Sequence, residues 1–167
     1  MQTLERITAS NALVFKTVRL AALRDSPSAF GSTYAHESQL SDADWLQRAA
    51  ARCSDRSTGY LAMDSAAACG LISGFLDKQD PHKAHLVSMW VAPSHRRTGI
   101  GRSLIDAVVT WARDRGVNSL YLTVTSNNQA AIEFYRRNGF SMTGETVPYP
   151  NDPLLFEYEM SRHIVSE

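Results

Sequence analysis

Apolar residues recur along this chain in two rhythms, every second position in some stretches and every third or fourth in others, and the switches between them mark out its elements. The segment "TLERITA" alternates and predicts a first strand. Ser10 or Asn11 then stands where a cap belongs, ahead of a helix carrying Leu13, Val14, Val18, Ala21 and Ala22 at helical spacing, which should stop near "DSPSAFG". "SDAD", residues 41–44, resembles a capping box with Asp in place of Glu and predicts a second helix through Trp45 and Leu46 to about Arg52. Past Gly59 the character changes. "YLAMD", "AACGLISGFLD" and "HLVSMWV" are short apolar runs bounded by Gly, Asp or Pro, which predicts an antiparallel meander of three strands. Ile100, Leu104, Ile105, Val108, Trp111 and Ala112 form one helical stripe ending at Gly116. "SLYLTV" follows as a strand, Asn128 caps the helix "QAAIEFYRRN" closed by Gly139, and "FSMTGET" and "LLFEYEM" flank the loop "VPYPNDP" as the last two strands. The order is strand, two helices, three strands, helix, strand, helix, two strands, an α/β (α+β) domain over residues 1–167.

Composition narrows what such a domain is for. With 44% hydrophobic residues in 167, the chain can bury one substantial core. Seventeen basic residues balance seventeen acidic ones, so no global basic field exists to hold a nucleic-acid backbone. Only Lys16, Lys78 and Lys83 are lysines; the remaining basic residues are arginines, which suit bidentate contacts to phosphate or carboxylate. Cys53 and Cys69 fit neither a disulfide framework nor a metal site, and no apolar run approaches the roughly 20 residues of a membrane helix. A cytoplasmic protein with no membrane or nucleic-acid partner is expected. Asp80, His82 and His85 share a Pro-containing loop without a fourth ligand at a known spacing, so no metal is expected.

The chemistry concentrates at "RRTGIG", residues 96–101, between a strand and a helix. Glycines in that position usually place an anion on the helix N-terminus, where free N–H groups converge and the helix dipole favours negative charge. A nucleoside triphosphate loop would need Lys and then Ser or Thr after the last glycine, but Arg102 and Ser103 stand there. A dinucleotide fingerprint would need a small residue where Leu104 stands. Both of those readings fail.

What remains, Arg96, Gly99 and Gly101 in that spacing, resembles the acetyl-CoA signature of the GCN5-related N-acetyltransferase (GNAT) superfamily. "NQAAIEFYRRNGF", residues 128–140, is similar to a second signature of the same superfamily, and the element order over roughly residues 1–160 matches. The resemblance implies a mixed, mostly antiparallel sheet of about seven strands flanked by about four helices, with a splay between the fourth and fifth strands. It further implies acetyl-CoA as co-substrate, its pyrophosphate on the main chain of Arg97, Thr98, Gly99, Ile100, Gly101, Arg102 and Ser103. The glycines would permit close approach, and Arg96, Arg97 and Arg102 would add charge. The pantetheine arm would lie along Met89, Trp90 and Val91, with Asn128 and Ala131 contacting it and the Val91 N–H stabilising the oxyanion. Tyr135 would be the general acid. The base stays open between His85, Glu37 and an ordered water, since an imidazole with an ordinary pKa near 6.5 accepts a proton at neutral pH.

The activity implied is direct acetyl transfer to a primary amine of a small molecule or a protein. A non-catalytic acyl-CoA-binding module and a transferase for a longer acyl donor are the alternatives. Trp45, Phe30, Tyr34, Tyr149 and "VPYPNDP" are candidates for the acceptor pocket, with core packing the other reading of Trp45 and Phe30. Exposed strand edges allow a homodimer.

Overall fold

The computed structural model describes residues 1–165; the last two residues of the expected domain lie outside the described residues. Its elements are β1 (Gln2–Arg6), α1 (Ala12–Asp25), α2 (Tyr34–Glu37), α3 (Asp42–Ala51), β2 (Ser57–Asp64), β3 (Ala67–Leu76), β4 (Lys83–Val91), α4 (Ile100–Asp114), β5 (Ser119–Thr125), α5 (Gln129–Arg137), β6 (Ser141–Pro148) and β7 (Phe156–His163). All seven strands form one sheet in the order β1-β2-β3-β4-β5-β7-β6. Every neighbouring pair is antiparallel except β4 and β5. The sheet is as expected; the helix beyond the expected four is α2, one turn capped by Thr33 and too short to leave a periodic signature. Among the described residues no helix is long and apolar enough to cross a membrane.

Each face of the sheet buries a separate cluster. On one face Leu104, Ile105, Val108 and Ala112 of α4, with Ile132 of α5, pack on Ala84 and Leu86 of β4 and Leu120 and Leu122 of β5. On the other, Phe15, Val18 and Ala22 of α1 and Trp45 of α3 cover Leu61, Leu71 and Trp90. Fully burying a large apolar side chain of this kind contributes about 1.5–3 kcal/mol, so these clusters fix where α1 and α4 lie against the strands.

The α4 stripe is buried at every expected position. The α1 stripe is rotated from its expected one. Ala12, Phe15, Val18, Arg19, Ala22 and Leu23 are its buried residues, while Leu13 is 54% exposed, Val14 36%, and Ala21 is exposed too. Apolar residues on both sides of this helix blur its period, and Arg19 at a buried position hides half of the stripe. Asn11 is the N-cap of α1, one of the two residues expected there, but its side chain makes no capping bond to that helix: it returns to Thr8 N at 2.9 Å while the Thr8 hydroxyl accepts from Ser10 N, closing a 3-10 turn over residues 9–11. The Ser41–Asp44 box forms as expected, with Asp44 N on Ser41 Oγ at 3.1 Å and Ser41 N on the Asp44 carboxylate at 3.0 Å.

Candidate active site

Parallel pairing of β4 with β5 covers only Lys83 to His85 against Ser119 to Tyr121. Beyond His85 the strands part, and on the β3 side β4 carries a register shift opposite the stretch between Leu71 and Ser73. Ser88 sits in this bulge at φ 58, a left-handed conformation that costs a non-glycine residue about 1–2 kcal/mol. The bulge bends β4 away from β5 and opens a cleft walled by Leu86, Val87, Ser88 and Met89 on one strand and by 122–125 on the other. Asn128, Ala131 and Tyr135 of α5 close its end, and Ala29 reaches it from the N-terminal third.

Main-chain direction in β4 follows from its pairing. Ala92 N donates to Cys69 O at 2.8 Å, and in an antiparallel ladder such bonds alternate, so Trp90 also faces β3 while Met89 and Val91 present main-chain groups toward β5. Trp90 turns its side chain into the opposite cluster, where its Nε1 donates to Asp25 at 3.0 Å. It therefore lies apart from the cleft, unlike its expected neighbour Met89.

At the turn before α4, Arg97 has φ 64 and Gly99 φ 90. The Ser103 amide bonds Gly99 O at 3.1 Å as the helix begins, which leaves the amides ahead of it without intrahelical acceptors. A side chain at Gly99 would meet no atom within 4 Å, so an anion has open access to these amides. The donors and the space fit a pyrophosphate. Ile100 offers only its main chain, its side chain being core, and Thr98 Oγ1 bonds His95 O within the turn. The Ser103 hydroxyl is held on Gly99 O at 3.1 Å.

Two residues of this turn are also engaged within the protein. Gly101 is small for packing: a Cβ there would lie 2.8 Å from the Phe134 ring and 3.2 Å from Met89 Cε, so α4 touches α5 through this residue. Arg96 is also not a free cation. It donates to Val91 O at 2.9 Å and to Asp25 at 2.8 Å, latching the turn to the end of α1. Arg97 and Arg102 are exposed and lie outside that latch, Arg102 standing 3.9 Å from Asp106.

Tyr135 is 8% exposed, wedged edge-on between Phe134 and Phe140 with ring centroids 5.5 and 5.8 Å away. Burial pushes its phenol well above the usual range, so it stays protonated. Asn128 Oδ1 caps α5 by accepting from Ala131 N at 3.2 Å, which turns the first turn of α5 toward the cleft.

The two side-chain base candidates differ in their surroundings. Glu37 is fully buried, and its carboxylate takes two bonds from Arg19, both 3.1 Å, and one from Arg48 at 3.0 Å. Burial alone would raise its pKa, but hydrogen bonds from Arg19 and Ser32 and the charges of Arg19 and Arg48 outweigh that and hold it below the usual value. A carboxylate so occupied is a poor proton acceptor, and Glu37 is the centre of an ion-pair cluster rather than a base. His85 stands at the point where β4 and β5 separate, half-buried, with Nε2 2.7 Å from Asp77 Oδ1.

Ser88 and Thr125, beside the cleft, carry no sequence signal. Ser88 is an ordinary serine in sequence, yet it holds the strained bulge and meets Arg19 Nη1 at 3.3 Å. Thr125 donates to Ser28 O at 2.6 Å, and the Tyr149 hydroxyl donates to Phe30 O at 2.6 Å, clasping residues 27–30 against the β6–β7 loop. Phe30 lies under the Arg19 guanidinium, 4.9 Å from its ring centre. Trp45 is core, packed edge-on to Phe15, and Tyr34 accepts a hydrogen bond from Arg24. Cys69 is buried and Cys53 is exposed.

The Acetyltransferase (GNAT) family model matches residues 20–140 of this chain. Streptothricin acetyltransferase of Streptomyces lavendulae is 50% identical over 54 residues, 32% of this chain and only 29% of that protein. An acetyltransferase of the GNAT family from Streptococcus pneumoniae superimposes with a TM-score of 0.83 at 19% identity, covering 99% of this chain and 100% of that one. The yncA structure from Salmonella typhimurium, solved with its cofactor acetyl-CoA, gives a TM-score of 0.80 at 16% identity, covering 100% and 96%. At these identities the two structures attest the fold alone.

Proposed function

This chain belongs to the acetyltransferase (GNAT) family, and from that premise we propose that it moves an acetyl group from acetyl-CoA directly to a primary amine of a small molecule or protein. One observation carries the reading: the bulge at Ser88 opens a single cleft that receives the free edge of β4 together with Asn128 and Tyr135 of α5.

In this reading the amides of residues 97–102 and the side chains of Arg97 and Arg102 hold the pyrophosphate, and Met89 and Val91 pair with the amides of the pantetheine arm. The Val91 N–H donates to the thioester oxygen as negative charge develops there. His85 removes a proton from the acceptor ammonium through water, since the Val91 end of the cleft lies further along β4. The freed amine forms the C–N bond and the C–S bond breaks. Tyr135 gives its phenolic proton to the departing sulfur and is reprotonated by the second amine proton, so one proton leaves through His85 for each acetyl moved. The phenol is a weak acid, but the thiolate it meets is as poorly solvated as itself, which favours transfer inside the cleft.

Release of free thiol from acetyl-CoA, followed across small amines, amino acids and peptides with free lysines or N-termini, tests the proposal. At least one acceptor class should give intersecting double-reciprocal lines. Parallel lines with an acetyl group trapped on Cys53 or Cys69 would overturn direct transfer. Acetyl-CoA binding without thiol release across the whole panel would leave a binding module, and faster turnover with propionyl- or succinyl-CoA would reassign the donor.

A further inference from the structure

His85 and Asp77 form a pair that the reaction as described leaves without a role for the aspartate. Asp77 lies just past β3, and its two oxygens divide the work. Oδ1 meets His85 Nε2 at 2.7 Å, while Oδ2 accepts the amides of Gln79 and Asp80, both at 3.0 Å. The connection is pinned again where Asp77 N donates to Lys83 O at 2.9 Å and Arg56 donates to Asp77 O at 3.0 Å. The carboxylate is thus immobilised before it meets the imidazole. The ring itself is stacked on Phe75, with centroids 5.0 Å apart and planes at 26°. Asp77 is acceptor-only when ionised, so Nε2 must carry the hydrogen and Nδ1 must keep the lone pair. Among the described residues no protein group bonds Nδ1.

The pair's position matters as much as its geometry. His85 is the last β4 residue paired with β5, so it stands at the apex of the cleft. Its strand neighbours Ala84 and Leu86 point to the face covered by α4 and α5. Side chains alternate along a strand, so His85 and the half-exposed Val87 face the other side, away from the elements that would hold the cofactor.

We propose that Asp77 is the positioning residue of an Asp77–His85 pair, holding the imidazole with Nδ1 as the proton acceptor on the amine side of the cleft. This rests on the acetyltransferase reading above. Nδ1 takes one proton from the acceptor ammonium through water, leaving a neutral amine, and Asp77 stabilises the imidazolium until that proton passes to solvent. The ionisable groups facing the ring or its partner are Asp77 and Arg56 beside the β3–β4 connection, Tyr121 of β5 at 6.4 Å between ring centres, and Lys83, whose ammonium sits 4.0 Å from the Tyr121 ring centre. The His85 bond, followed by the Gln79 and Asp80 amides, lowers the Asp77 carboxyl to about 2, so it is charged wherever the enzyme works.

Imidazole nitrogen NMR of the full chain reads the tautomer without any acceptor, with His85→Gln assigning the signal among the five histidines. Neutral His85 should carry its proton on Nε2 in the native protein and populate both tautomers in Asp77→Asn. With the best primary amine from the thiol-release panel, Asp77→Asn should lower kcat about tenfold at unchanged KM for acetyl-CoA. Asp77→Glu, which keeps the acceptor, should recover much of the lost kcat and the single tautomer, and Asp77→Asn should add nothing in a His85→Gln background. A native Nδ1–H tautomer, an unchanged kcat in Asp77→Asn, or additive losses in the double variant would overturn the proposal. The expected tautomer in a protein that acetylates no amine would refute the catalytic role by refuting the enzyme reading, which separates the two failures.

Discussion

The two halves of the cleft are built by different means. The half formed by the turn before α4, the β4 edge and α5 is assembled from main-chain geometry close in sequence: Ser103 N on Gly99 O, Asn128 on Ala131 N, and the bulge at Ser88. The opposite half, from α1 to α3 and the β6–β7 loop, is held by side chains reaching across the chain. Arg19 reaches Glu37 and Ser88, Thr125 reaches Ser28, and Tyr149 reaches Phe30. A phosphate cradle needs amides in a fixed curve, which a short motif can encode. An acceptor wall needs only some side chains that meet, which many sequences can supply.

If the halves are separable, substitutions should sort by which substrate they disturb. Tyr135→Phe carries the largest expected effect: kcat should fall roughly 10²–10⁴-fold with acetyl-CoA affinity nearly unchanged, measured by thiol release and direct titration. A tenfold loss of cofactor affinity instead would mean the phenol holds the arm rather than protonating the sulfur.

Glu37→Gln should follow, removing a charge that buried Arg19 and partly buried Arg48 share. Breaking a buried pair by deleting one partner costs roughly 3–5 kcal/mol, readable in denaturant unfolding. The pH dependence gives a second reading. Because the folded Glu37 pKa lies below its unfolded value of about 4.3, its stabilisation is full above that value and is lost as pH falls through the lower folded one. The variant should lose that part of the acid slope. Acetyl-CoA affinity of the protein that remains folded should not change, and a matching loss would break the comparison.

Gly101→Ala comes third. Overpacking against Phe134 costs roughly 1–3 kcal/mol, offset by about 1 kcal/mol of helix propensity. A lower melting temperature and weaker acetyl-CoA binding are expected, both relieved by Phe134→Leu. Tyr149→Phe should do least, losing a hydrogen bond worth about 0.5–1.5 kcal/mol. The acceptor KM should rise a few-fold while that for acetyl-CoA stays put, which would place the clasp on the amine side.

Legibility in the sequence follows the same division. The α4 stripe, the Ser41–Asp44 box and the Asn128 cap were readable because each is complete within a few residues. The rotated face of α1 was not, because Arg19 occupies a buried position only by virtue of Glu37, eighteen residues later. Gly101 and Arg96 are legible as parts of a motif, but their contacts within the protein are not, since Phe134 and Asp25 lie far off in sequence. Asp77 reads in sequence only as the acid that ends a strand run. Its partner is eight residues away across a strand register that no local pattern discloses.

The sheet order β5-β7-β6 has a consequence for how the protein is made. Of the described strands, β7 leaves the ribosome last, yet it belongs between two that came earlier. Until it arrives, β5 has one bare edge along its length and β6 has no partner at all. The elements through α5 can dock during synthesis, while the β6–β7 loop that carries the Tyr149 clasp must await the final insertion. A stall or truncation before β7 would therefore yield a nascent chain with an exposed adhesive strand edge, the state in which this protein would be most prone to aggregate or to need a chaperone.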